Sequence, residues 1–188
     1  MSGMQTLIVS FVTIALAEIG DKTQLLALVL AAKYRRPWPI CLGILLATLA
    51  NHALAGAAGA LVAEWVGPQV LRWIVALSFL AIAAWTLIPD KADEKEAERG
   101  SSHGVLLATL VSFFLAEMGD KTQIATAVIA AVYHPLWQVV AGTTLGMLLA
   151  DVPVVWLGAR FAQRIPLKAA HIVAAALFAA LGVWILIA

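Results

Sequence analysis

One eight-residue phrase occurs twice: Ala17-Glu18-Ile19-Gly20-Asp21-Lys22-Thr23-Gln24, and again Ala116-Glu117-Met118-Gly119-Asp120-Lys121-Thr122-Gln123. Glu18 and Asp21 are three apart, so an unbroken helix would put both carboxylates on one face. Lys22, four after Glu18, could pair with it along that face, and Gln24 extends the polar strip. Thr23 points elsewhere unless Gly20 unwinds the helix and turns it inward. The same spacing holds for Glu117, Asp120, Lys121, Gln123 and Thr122.

Both phrases lie in apolar surroundings, where charge is costly. A charged residue at the centre of an isolated span costs about 2.5–3.5 kcal/mol, and a large apolar residue returns only about 0.3–0.6. Glu18, Asp21 and Lys22 together would cost roughly 8–10 kcal/mol, which about fifteen apolar residues would barely offset. They must face a protein interior, a water-filled cavity or an ion.

Glu18, Asp21, Glu117 and Asp120, with Thr and Gln oxygens in reach, would form an oxygen-only donor set. Such a set suits Mg²⁺, Ca²⁺ and Mn²⁺, whereas soft metals want thiolate or imidazole. Four carboxylates and two lysines leave a formal charge of −2, which one divalent cation would neutralise. On losing the metal, crowded carboxylates would take up protons as a coupled group. Metal–proton antiport follows as the expectation. The competing structural expectation makes Glu18–Lys22 and Glu117–Lys121 simple ion pairs locking two long helices together.

Composition sets the frame for these residues. The chain is 63% hydrophobic and 12% charged, with mean hydropathy +0.95; a soluble domain is about 45–50% apolar and about 25% charged. It belongs in a lipid bilayer. A net charge of +1 excludes a strongly basic nucleic-acid binder, and the single cysteine, Cys41, excludes an intramolecular disulfide. The apolar run from Thr6 reads as a first membrane helix rather than a signal peptide, because no Lys or Arg precedes Lys22.

A span needs roughly 20 mainly apolar residues. Six stretches qualify: about 5–32, 39–62, 70–88, 105–132, 137–158 and 169–187. Residues 89–104, rich in Asp, Glu, Lys and Arg, read as a solvated linker between halves 1–88 and 105–188. The halves align at a constant offset of 99 residues, matching Glu18 to Glu117, Asp21 to Asp120, Tyr34 to Tyr133, Trp38 to Trp137, Gly43 to Gly142 and Gly59 to Gly158. This is an internal duplication.

Lys and Arg concentrate in the loops after the first, third and fifth spans (Lys33, Arg35, Arg36; Lys91, Lys95, Arg99; Arg160, Arg164, Lys168), against Arg72 alone on the other side. That bias puts these loops, including the linker, in the cytoplasm and both termini outside. Three spans per half then make the halves inverted. The expected fold is an all-α integral membrane protein of six helices in two inverted three-helix repeats, an arrangement shared by many secondary transporters.

Each acidic pair lies 12 residues into its span, about 18 Å along the helix, near the middle of a hydrocarbon layer about 30 Å thick. Antiparallel helices could therefore bring all four carboxylates together. Asn51 and His52 interrupt the second span, and Asp151 interrupts the fifth at the offset position of His52. Asp151, just before Pro153, is the stronger candidate for an extra ligand or proton carrier. Trp38, Trp65, Trp73, Trp137 and Trp156 read as interfacial anchors, and Gly43, Gly56, Gly59, Gly142, Gly146 and Gly158 as close-packing positions. His103, His134 and His171 fall near loops or ends and read as interfacial.

Glu-x-Gly-Asp-Lys-Thr, duplicated in a six-span chain of this length, resembles the small cation exporter family that includes bacterial manganese exporters and the Golgi manganese/calcium transporters. The likeness covers essentially the whole chain, and both motif copies fit the pattern. It implies that Glu18, Asp21, Glu117 and Asp120 bind and move the cation, with Lys22, Thr23, Lys121 and Thr122 in support. It also implies cation/proton exchange without a prosthetic group. The compact bacterial form implies Mn²⁺ export from the cytoplasm, across an inner (plasma) membrane. A Ca²⁺/H⁺ antiporter is the alternative within the class, since Ca²⁺ and Mn²⁺ share oxygen ligands. An intramembrane aspartyl protease is the remote alternative. That chemistry wants two apposed Asp sharing a proton, whereas each helix here carries a Glu, an Asp and a Lys, and the Pro-Ala-Leu element of such proteases is missing.

Overall fold

The computed structural model describes residues 3–88, 104–158 and 166–187. Residues 89–103 of the linker, including His103, lie outside the described residues, as do the basic residues Arg160 and Arg164. Those described are all-α, with eight helices and no strand: α1 (Gly3–Glu18), α2 (Lys22–Tyr34), α3 (Pro37–Trp65), α4 (Pro68–Thr86), α5 (Val105–Glu117), α6 (Lys121–Val132), α7 (Leu136–Leu157) and α8 (Leu167–Ile187).

Helices α3, α4, α7 and α8 are each long and apolar enough to cross a membrane. The stretches 5–32 and 105–132, expected as single helices, are each broken in two at the charged phrase. Helices α1 and α2 bend by 68° at the break and together are long and apolar enough for a fifth span. Helices α5 and α6, of 13 and 12 residues, are apolar but each too short to cross alone.

The break has a local cause. Gly20 (φ +83°) and Gly119 (φ +76°) are in the left-handed region, where a Cβ costs about 1–2 kcal/mol. Each glycine is followed by an extended Asp that is the N-cap of the next helix. Neither Asp spends its carboxylate on a capping hydrogen bond. The glutamine three residues on reaches back instead, accepting from the glycine N–H (Gly20 to Gln24 Oε1 3.0 Å; Gly119 to Gln123 Oε1 2.7 Å). This resembles a capping box shifted by one residue. Both aspartate side chains are thereby left for other partners.

Helices α3 and α7 pack on each other, and each also lies against the other half's broken pair: α3 on α5 and α6, α7 on α1 and α2. Helix α4 packs on α8. Glycines let these backbones approach. A Cβ on Gly43 would stand 3.0 Å from the Leu106 carbonyl oxygen and 2.7 Å from Thr109 Cβ; one on Gly142 would stand 2.6 Å from the Leu7 carbonyl oxygen and 2.8 Å from Ser10 Cβ. Leu7 and Ser10 are 99 residues before Leu106 and Thr109, so one contact is repeated at the sequence offset. At the α3–α7 crossing, Thr48 Oγ1 donates to Met147 Sδ at 3.2 Å, and these two residues are also 99 apart. Gly158, expected as a packing position, instead ends α7 at φ +69°.

The outer surface is apolar, and the interior carries the polar groups. Trp38, Trp65, Trp73, Trp137 and Trp156 are all exposed, as are Leu54, Leu61, Leu149 and Ile172. Buried among the helices are Glu18, Asp21, Asn51, His52, Glu117, Asp120, Lys121 and Asp151. That distribution is the reverse of a water-soluble bundle.

Candidate cation site

The four motif carboxylates share one interior region. Glu18, Asp21 and Glu117 are wholly buried, and Asp120 is 3% exposed. Lys22 lies beside Asp120 and Lys121 beside Asp21, so the two motif copies meet in the interior, and His52 lies toward Glu117. Residues about a hundred apart in sequence thus face one another.

Within each motif the glutamate is held by its own threonine. Thr23 Oγ1 donates to Glu18, and Thr122 Oγ1 donates to Glu117 Oε2 at 3.0 Å. The break accounts for this: across an unwound Gly-Asp, Thr23 and Thr122 turn toward the glutamate.

The lysines do not pair as the helical spacing predicts. The expected Glu18–Lys22 and Glu117–Lys121 pairs are replaced by crossed ones, because the break removes the i, i+4 geometry they need. Lys22 Nζ lies 3.6 Å from Asp120 Oδ1, and Lys121 Nζ pairs with Asp21. Each lysine therefore neutralises the aspartate of the other half. Lys121 and Asp21 are both fully buried, whereas the Lys22 side chain is 23% exposed.

The glutamines fasten each break to the long helix of the other half. Gln24 Nε2 donates to the Ala150 carbonyl at 3.0 Å. Gln123 Nε2 donates to Asn51 Oδ1 at 2.5 Å, and Asn51 Nδ2 donates in turn to the Phe114 carbonyl at 3.0 Å. Asn51 and Ala150 are offset partners, so the two tethers end at equivalent places by different means. His52 Nε2 is 3.9 Å from Glu117 Oε2, and Asp151 is wholly buried in the matching place on α7.

Sequence reasoning missed one neighbour. His171, expected at an interface, is only 8% exposed. Its Nε2 would lie 2.9 Å from a Cβ on Gly20, and Leu167 Cδ2 would lie 2.8 Å away. The only sequence cue is that His171 occupies the offset position of Arg72, a polar pair in otherwise apolar helices.

Several buried oxygens accept no hydrogen bond from any described group: Glu18 Oε2, Glu117 Oε1, Asp120 Oδ2 and both of Asp151. Leaving a buried acceptor unsatisfied costs about 1–3 kcal/mol, and more when charged, so these oxygens suit a hard cation or protons. Among the described residues, no three His, Cys, Asp or Glu side chains converge tightly enough to hold one ion as placed.

Broken helices, apolar outer faces and inward-facing ionisable groups define a membrane transporter. Residues 6–94 and 105–188 match the family described as divalent cation/proton antiporter GDT1. The chain is 53% identical over 176 residues to a "Putative manganese exporter" of Vibrio cholerae serotype O1, covering 93% of this chain and 87% of that one. It is 28% identical over 185 residues to the GDT1-like protein sll0615 of Synechocystis, covering 88% of each. No solved structure gives a significant match. The chain belongs to the GDT1 family of divalent cation/proton antiporters. It is an integral membrane transporter of divalent cations and protons, not an enzyme, and the protease reading falls with that membership.

Proposed function

We propose that this chain exports Mn²⁺ from the cytoplasm in exchange for protons, through a site formed jointly by Glu18, Asp21, Glu117 and Asp120. The carrying observation is the burial of these four carboxylates together, with the lysine of each half paired to the aspartate of the other. The cation substitutes for missing donors at Glu18 Oε2, Glu117 Oε1 and Asp120 Oδ2; when it leaves, protons take its place on the same carboxylates. Thr23, Thr122, Gln24, Gln123 and Asn51 orient the site, and Asp151 and His52 stand behind it on α7 and α3. Manganese is favoured by the name of the Vibrio relative; Ca²⁺ shares the oxygen chemistry and is the second reading.

In this reading, halves 1–88 and 105–188 are inverted three-span repeats. The pair α5–α6 serves as the sixth span, by analogy with α1–α2, and the linker 89–104 joins the halves in the cytoplasm. Both termini then face outward from a bacterial inner membrane. The repeated Gly43 and Gly142 contacts support this arrangement.

The test is Mn²⁺ and Ca²⁺ flux into proteoliposomes under an imposed pH gradient, for the wild type, Glu18→Gln and Glu117→Gln. The expected result is gradient-driven Mn²⁺ flux that both substitutions abolish. Flux retained in both variants would overturn the site, and indifference to the gradient would overturn the exchange.

A further inference from the structure

The crossed lysine–aspartate pairs carry an inference that rests on the transport reading and extends it. Lys22 and Lys121 are not needed to bind a divalent cation; a cation site gains nothing from an ammonium group at its ligand. Yet both are directed at the aspartates rather than away from them, and each spans from one half of the chain to the other.

We propose that Lys22 and Lys121 are built-in competitors of the transported cation. Each ammonium group occupies the aspartate of the opposite half until the ion displaces it, and each returns when the ion leaves. The geometry supports exclusion. Lys22 Nζ is 3.6 Å from Asp120 Oδ1, whereas Ca²⁺ needs its oxygens at about 2.3–2.6 Å. A dication so placed on that carboxylate would face an adjacent positive charge.

The consequence is weakened binding with quickened release. An antiporter that held its ion on four uncompensated carboxylates would load readily and unload slowly. A tethered cation keeps the emptied site from being left with unbalanced charge, and it makes each release end in a new ion pair. The two lysines differ in readiness to move. The Lys22 side chain is partly exposed and has room to move, while Lys121 is enclosed with Asp21. Displacement therefore begins at Asp120 in this conformation.

The test uses Mn²⁺ as the probe on the full-length protein in detergent and in proteoliposomes. For Lys22→Met, the expected result is at least about tenfold tighter Mn²⁺ binding together with lower maximal flux, while Lys22→Arg keeps near-wild-type affinity. A purely structural lysine would instead weaken binding or leave it unchanged in Lys22→Met, and either result overturns the proposal. A second measurement needs no variant: the rate at which an amine-reactive reagent labels Lys22 in the wild type, followed by mass spectrometry with and without saturating Mn²⁺. Displacement predicts severalfold faster labelling with the ion, and an unchanged or slower rate overturns it. Failure of the wild type to bind Mn²⁺ or Ca²⁺ saturably would instead bring down the transport reading, and this inference with it.

Discussion

The two copies of the charged phrase are nearly identical in sequence and unlike in surroundings. Around Gly20 the break is buried, with Leu167 and His171 of α8 against it. Around Gly119 the break is exposed, nothing among the described residues lies within 4 Å of where its Cβ would stand, and Met118 is 58% exposed. A cleft of about 390 Å³ opens beside it, lined by Asn51, Leu54, Phe114, Met118 and Gln123 among others. The ion pairs follow suit, with Lys121–Asp21 enclosed and Lys22–Asp120 partly exposed. The two copies thus carry nearly identical chemistry in unequal exposure. The difference lies in the flanking helices: α8 packs against α1, whereas α4, its offset partner, packs against α6.

The largest effect is expected where a pair is enclosed. Asp21→Asn takes the carboxylate from a fully buried lysine and should destabilise the protein by about 3–5 kcal/mol. Asp120→Asn should cost less, because its partner Lys22 is partly exposed whereas Lys121 is fully enclosed; denaturant unfolding of both variants measures the gap. Equal losses would mean that the two halves are equally enclosed.

A smaller contrast is expected at the glycines. Alanine at either position meets the left-handed backbone at about 1–2 kcal/mol. Gly20→Ala also collides with Leu167 and His171 and should lose a further 1–3 kcal/mol, roughly the cost of overpacking. Shortening the obstacle with Leu167→Ala should recover part of the Gly20→Ala loss and none of the Gly119→Ala loss, as read in the same unfolding assay.

The smallest effect concerns the tethers. Asn51→Ala unfastens Gln123 and should cost about 1–2 kcal/mol, leaving the Gln24 tether to the Ala150 backbone intact. Hydrogen exchange should rise at the start of α6 and stay unchanged at the start of α2. A rise at both would show that the tethers are not independent.

Much of the candidate site was legible because charge in an apolar chain is conspicuous. The cost of burying Glu18, Asp21, Glu117 and Asp120 marked them, and the offset of 99 paired them before any geometry was known. What could not be read was the direction of Lys22 and Lys121. The helical i, i+4 rule gives a definite partner for each lysine, and that partner is wrong once Gly20 and Gly119 take positive φ. Thr23 and Thr122 were legible only as a conditional, since their inward turn depends on the same break. His171 was illegible for another reason: it reaches Gly20 from about 150 residues away, and no local pattern in α8 distinguishes a residue facing a neighbour from one facing headgroups. The stretches 5–32 and 105–132 were wrong in continuity, because apolar length does not register a three-residue kink; α1 and α2 together remain long and apolar enough for one span, whereas α5 and α6 are each too short to cross alone.

The Thr48–Met147 contact has a consequence for motion. Advance Thr48 by the repeat offset and it becomes Met147; move Met147 back and it becomes Thr48. If the halves trade roles as the proposed inverted repeats would, a neighbour relation is handed to its counterpart, as the cover over Gly20 would pass to Gly119. The Thr48–Met147 pair is handed to itself. It behaves as an axle: a spin label pair placed there should keep one distance throughout the cycle, while labels on α4 and α8 travel around it.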